Sequence, residues 1–396
     1  MLPLTLSLAL LSTSTAAHAA TVGPDPTAQT ACPVDAASPG ADWPVAAQVP
    51  PAAAPPSQAL AELERYLFPA DLDWADKDKR GVRTDGVVIV HRGQIVYERY
   101  AHGYDATRPH LAWSVSKTFT SSLVGIAVQQ GRLSLDASVC TVLADVPQHA
   151  CVITVADLLA FSSGLDWKET YEHDPPTSSS VLAMLYGEGQ SDMARFVLGH
   201  PLRDRPGESF QYSSGDSNVL SAIAGAALIP AHGERFPWTA LFEPLQMQGV
   251  TFERDGAGTY VGSSYLYATP RDMARLGQLW LDDGCWGGQR LLPPGWVAWS
   301  TQVTPGMKAK PLEWTVGDAV QGRQVWLNQP LPEQGAPDLP WPAAPPDTFA
   351  AMGHWKQSIT VIPSRDLVIV RTGDDRDGAW SHNVFLDRAL HLVEGL

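Results

Sequence analysis

Lysine is scarce in this chain: only seven stand among its 396 residues, and charged residues of all kinds make up 17%. Twenty-seven basic side chains face 42 acidic ones, a formal net charge of -15, and no basic stripe appears. That balance argues against a nucleic-acid partner, which needs clustered positive charge, and gives no attraction to anionic membranes. No C-x-x-C pair occurs, which argues against a zinc ribbon or a thioredoxin-like redox site. The eleven histidines show no H-E-x-x-H spacing, so a zinc site is not expected. The G-x-S-x-G elbow of the α/β-hydrolases is also missing. The apolar run Leu2 to Leu11 is too short to span a bilayer.

What is present fits an exported globular protein. Residues 1–19 read as a signal peptide, with that apolar run followed by small residues and Ala17-His18-Ala19 as a cleavage pattern. Residues 20–57 are rich in Ala and Pro and read as an extended arm. Four cysteines suit an oxidising compartment, periplasmic or secreted, and allow three connectivities. The favoured one joins Cys140 to Cys151, close in sequence across a Pro-containing loop. It leaves Cys32 to tie the arm to Cys285.

Hydrophobic periodicity outlines the body. Gly86–Val90 and Gln94–Glu98 read as strands joined by a turn at His91-Arg92-Gly93. Ile359–Ile362 and Leu367–Val370 read as a second strand pair around Pro363-Ser364-Arg365. Helices are expected over 59–68, 117–130, 154–160, 218–227, 271–281 and 380–395. Residues 330–346 read as a Pro-rich surface loop. Strands at both ends with helices between them predict a split sheet unit, residues 58–112 and 258–396, around a mainly helical unit, residues 113–257.

Ser114-Val115-Ser116-Lys117 carries the chemistry. On a helix, residues three apart share a face. An amine there can take the proton of a serine hydroxyl and make a nucleophile without a histidine. Alone the spacing is weak, since a chain of this length holds about one such pair by chance. Of the seven lysines, however, Lys117 is the only one with a serine three residues before it. Tyr212, in Tyr212-Ser213-Ser214, could pass a proton between nucleophile and leaving group.

These segments, in order, resemble the penicillin-recognising serine hydrolase superfamily, across about Leu60 to Leu392. The likeness is nearest to the 6-aminohexanoate-oligomer hydrolases and to esterases related to class C β-lactamases. It rests on Trp113-Ser114-Val115-Ser116-Lys117, Ser163-Gly164-Leu165-Asp166-Trp167, Phe210-Gln211-Tyr212-Ser213-Ser214, Gly262-Ser263-Ser264-Tyr265 and Gly353-His354-Trp355-Lys356-Gln357. The resemblance implies a three-layer α/β/α domain with an antiparallel sheet beside a mainly helical domain, the site lying between them. It implies Ser114 as acylated nucleophile, Lys117 as base and Tyr212 as proton relay. Ser214 takes the third place of the Y-x-N/S motif.

The third family motif falls at Ala351-Met352-Gly353, with His354-Trp355-Lys356 as an alternative register that lacks the expected glycine. In the first register the N–H groups of Ser114 and His354 form the oxyanion hole. Tyr171, Ser214, Gly353 and Lys356 are the expected substrate contacts. Ala351 stands where β-lactam enzymes generally carry a basic or polar residue for the substrate carboxylate. Lys356 replaces a glycine usual in the amide hydrolases. The expectation is therefore an amidase or esterase acting on a small molecule, without metal or organic cofactor. The alternatives are a β-lactamase or D-Ala-D-Ala peptidase, and a non-catalytic sensor on the same fold.

Overall fold

The N-terminal hairpin turns at Arg92 and Gly93, both at positive φ (52° and 72°). Two successive left-handed residues match the right-handed twist of paired strands, which is why a glycine stands there. The computed structural model describes residues 23–24, 31–32, 43, 57–171, 178–309 and 320–395. The expected signal peptide, residues 1–19, lies outside the described residues.

Strands β1 (Thr84–His91) and β2 (Gln94–Tyr100) join β3 (Val320–Gln321), β4 (Trp326–Leu327), β5 (Phe349–Gly353), β6 (Gln357–Ile362) and β7 (Leu367–Gly373) in one sheet. Its order is β2-β1-β7-β6-β5-β4-β3, and every pairing is antiparallel. The two ends of the chain thus meet where β1 pairs with β7, Val88 opposite Val370 and Val90 opposite Val368. Both strands are buried almost throughout. They read as continuous Val and Ile runs because helices cover both faces of the sheet.

The five longest helices among the described residues are α1 (Gln58–Leu67), α2 (Ser116–Gln129), α3 (Ser214–His232), α4 (Pro270–Leu281) and α5 (His382–Glu394). Gly277 of α4 lies against Ile359 and Val368. Thr360 points the other way and meets His382 of α5 at 3.2 Å. Alternation along β6 therefore assigns α4 and α5 to opposite faces, and the layers run α/β/α as expected. Helix α1 packs on α5.

Helix α2 is buried on every side from Ser116 to Val128. Such a helix belongs to a core rather than a surface. Three of its hydroxyls find partners on other elements: Thr118 Oγ1 donates to Gln324 O (2.8 Å), Thr120 Oγ1 to Gly262 O (2.9 Å), and Trp280 Nε1 donates to Ser122 Oγ (2.9 Å). Helix α3 packs along α2. The short helix Val155–Leu159 starts with a full capping box between Thr154 and Asp157.

Disulfides join Cys140 to Cys151 and Cys32 to Cys285. The arm is also held at Trp43, which is buried, donates to Gly93 O (3.1 Å) and meets Trp286 edge-on. Residues 330–346 form the largely exposed loop expected, with three residues turned inward. Leu331, Trp341 and Ala344 are buried, because the Asn328 carboxamide donates to the carbonyls of Trp341, Ala344 and Pro345 (2.9–3.0 Å) and accepts from Trp341 N (2.7 Å).

Candidate active site

Ser114 sits in the 3-10 turn Trp113–Val115 that leads directly into α2, so Lys117 follows it by one turn. Trp113, just before it, holds a left-handed backbone (φ 49°). For a non-glycine residue that conformation costs about 1–2 kcal/mol. It redirects the chain as it leaves the two-residue strand His110–Leu111.

The Lys117 side chain is 2% exposed. Its Nζ lies 3.0 Å from Ser114 Oγ, 3.0 Å from Ser214 Oγ and 3.1 Å from Ser263 O. Three partners saturate an ammonium group. In the neutral amine two N–H groups serve Ser263 O and Ser214 Oγ, and the lone pair faces the Ser114 hydroxyl. Burial pushes the Lys117 amine down to about 8, and the negative charge of Glu169 opposes that fall.

Tyr212 is buried and hydrogen-bonded to Ser114, and Lys117 Nζ lies 5.0 Å from its ring centre. Burial, and secondarily the Glu169 charge, hold its phenol above the ordinary tyrosine range, so it stays protonated and able to donate. The irregular segment holding Tyr212 ends at Ser213, which caps α3 by accepting from Asp216 N (2.8 Å).

Glu169 was not anticipated from sequence. It is buried, and its carboxylate accepts four hydrogen bonds: from Ser214 Oγ (2.5 Å) and Tyr171 OH (2.6 Å) at Oε1, and from Ser214 N (2.9 Å) and Trp167 Nε1 (2.6 Å) at Oε2. A carboxylate needs such donors to be buried at tolerable cost. The only sequence signal was an acid two residues before Tyr171, which reads equally well as a solvated loop residue. Asp216 lies close behind, accepting from Ser163 Oγ (2.8 Å) and Ser213 Oγ (3.2 Å) at Oδ1, while its Oδ2 has no partner among the described residues. Burial raises its carboxyl to about 7, against the pull of those two hydroxyls.

The end of β5 closes over Ser114. A Cβ on Gly353 would stand 2.4 Å from Ala112 O and 3.2 Å from Ser114 N, so only glycine permits this approach. Beyond it the His354 ring meets Trp113 (5.5 Å), Tyr171 (5.2 Å) and Trp355 (4.9 Å). The fold thus gathers Ser114, Lys117, Tyr212, Ser214, Tyr171, Gly353 and His354 around one point. Lys356 is exposed at the rim, and its charge acts on Asp375 and His382.

A mixed α/β fold with a large antiparallel sheet, and a buried Ser-x-x-Lys turn beneath its edge, define the class. The chain belongs to the Beta-lactamase family, whose model matches residues 63–383, a family that acts in general as serine hydrolases. It is 25% identical over 242 residues to the 6-aminohexanoate-dimer hydrolase of Paenarthrobacter ureafaciens, covering 54% of this chain and 56% of that protein. The chain thus spans little more than half the length of that relative. Among solved structures, a Bacillus anthracis protein provisionally described as a 6-aminohexanoate-dimer hydrolase superposes with a TM-score of 0.60, at 22% identity, over 79% of this chain and 80% of the other. A penicillin-binding protein homologue from Caulobacter crescentus gives 0.58 at 15% identity, over 85% and 98%. At these identities the superpositions establish the fold alone.

Proposed function

We propose that this protein is an exported serine hydrolase that cleaves an amide or ester bond of a small molecule through an acyl-enzyme on Ser114. The observation that carries this reading is the 3.0 Å contact between Ser114 Oγ and a buried Lys117 amine whose pKa is drawn down to about 8. The neutral amine takes the Ser114 proton as Oγ attacks the substrate carbonyl. Backbone N–H groups of Ser114 and His354 hold the resulting oxyanion, a role supported by the approach of Gly353 to Ser114 N. Tyr212 delivers a proton to the departing nitrogen or oxygen, drawing on Lys117. Water then adds to the acyl-enzyme, returns Ser114 to its hydroxyl form and releases the acid.

Likeness to the 6-aminohexanoate-dimer hydrolase supports amides among the substrates. Ala351, with no polar group for a β-lactam carboxylate, supports an amidase or esterase over a β-lactamase. Tyr171, Ser214 and Gly353 flank the substrate, with Lys356 at the rim. The sheet unit comprises residues 58–112 and 258–396, and the helical unit residues 113–257. Two disulfides support an oxidising location. Among the described residues no helix is long and apolar enough to cross a membrane.

A short-chain nitrophenyl ester tests the reading. A burst of nitrophenol stoichiometric with protein, followed by turnover, is expected. Absence of both burst and turnover with esters and linear amides alike would overturn it.

A further inference from the structure

The chain between β5 and β6 is a three-residue loop, His354-Trp355-Lys356, closed by the pairing of Gly353 with Gln357. Two of its three residues, neither of them glycine, hold left-handed backbones: Trp355 at φ 54° and Lys356 at φ 71°. Such a loop persists only where its surroundings over-determine it. Here the surroundings are two buried side chains. Gln357 is fully buried, and its Nε2 donates to His354 O (3.1 Å), Trp355 O (3.3 Å) and Gly373 O (2.6 Å), while Gly373 N donates to its Oε1 (2.9 Å). Arg371, also fully buried, donates to Lys356 O (3.1 Å). All three loop carbonyls are therefore held from below by side-chain donors rooted in the sheet.

We infer that Gln357 is a positioning residue for the oxyanion hole. Its carboxamide anchors the loop to the end of β7 and fixes the orientation of the His354 peptide units against Ser114. Because the donors are set before substrate arrives, no reorganisation is needed as charge develops on the carbonyl oxygen. Gln357 touches no reacting atom. Its effect is transmitted through the His354 N–H, so this inference rests on the functional reading given above.

The prediction is a loss confined to the chemical step. Gln357→Asn shortens the reach, and Gln357→Glu replaces the donor with an acceptor facing three carbonyls. With concentrations set by fluorophosphonate titration of active sites, each variant should lose about 10²-fold or more in kcat for a nitrophenyl ester, the scale of one lost oxyanion donor. KM should move less than about threefold, and the acid limb of the pH profile should stay near its wild-type position because Lys117 is untouched. If a variant folds poorly, it is rebuilt with Lys356→Gly, which relieves the left-handed strain, and compared with Lys356→Gly alone. A titrated kcat within twofold of the parent, with only a lower Tm, would make Gln357 a stabilising residue and overturn the inference. Failure of the functional reading is distinct, since the wild-type protein itself would then not be labelled at Ser114.

Discussion

Lys117 and Glu169, both buried, are joined through a single hydroxyl. Ser214 Oγ lies 3.0 Å from the amine and 2.5 Å from the carboxylate. Because an ionised carboxylate only accepts, the Ser214 proton points to Glu169 and the amine donates to Ser214. The arrangement holds Lys117 in place while its lone pair is kept for Ser114. It also makes Glu169 the opposing influence on an amine that burial would otherwise drive lower still.

A pH dependence follows. In the proposed mechanism the base is neutral Lys117, so kcat/KM for an ester should rise through a pKa near 8. Glu169→Gln removes the charge that raises this pKa, so the acid limb should move to lower pH. A limb that moves to higher pH, or one that does not move, would contradict the pairing.

Tyr212→Phe keeps the ring against Phe161, 5.0 Å away, and removes the hydroxyl bonded to Ser114. Turnover should fall by about 10²- to 10⁴-fold, the range for a lost general acid–base group. The thermal midpoint should change little. Steady-state kinetics beside a melting curve distinguishes this from a packing role, which would lower Tm and leave kcat intact.

Gly353→Ala places a methyl group 2.4 Å from Ala112 O, a contact the backbone of the nucleophile turn must yield to. Labelling of Ser114 by a fluorophosphonate should slow by at least about tenfold. Labelling at the wild-type rate would place the end of β5 away from the reacting centre.

Asp216 tests the electrostatics of the layer beneath. Its folded pKa of about 7 lies above the ordinary carboxyl value, so the native state binds a proton that the unfolded chain releases. Stability from this group is full below about pH 4 and is lost as pH rises toward 7, by a few kcal/mol at most. Asp216→Asn should therefore flatten that loss, being relatively more stable at pH 8 than at pH 5. Urea midpoints at the two values measure the difference. An equal shift at both would mean that Asp216 is ionised throughout.

Much of this architecture is legible in the sequence where a period or a turn residue states it. The β1–β2 hairpin follows from two alternating runs around Arg92-Gly93, and α2 from apolar residues at helical spacing after Lys117. Ser114 and Lys117 stand out only weakly by spacing, and it is the resemblance of the ordered segments to a known superfamily that adds Tyr212 to them. Glu169 does not stand out, because nothing local says whether an acid in the loop before Tyr171 faces solvent or four buried donors. The same holds for Gln357, whose partners lie in a loop and at the end of another strand. Along residues 330–346 the prolines announce a surface loop, but nothing local marks Trp341, whose backbone Asn328 holds inward.

The proposed mechanism stands or falls on acylation of Ser114. Intact-mass and peptide mass spectrometry after brief exposure to a fluorophosphonate, or to a slowly deacylating ester, measures this directly. One adduct per chain is expected, located on Ser114, and none in Ser114→Ala under the same conditions. An adduct on another residue, or full-rate labelling of Ser114→Ala, would contradict the mechanism.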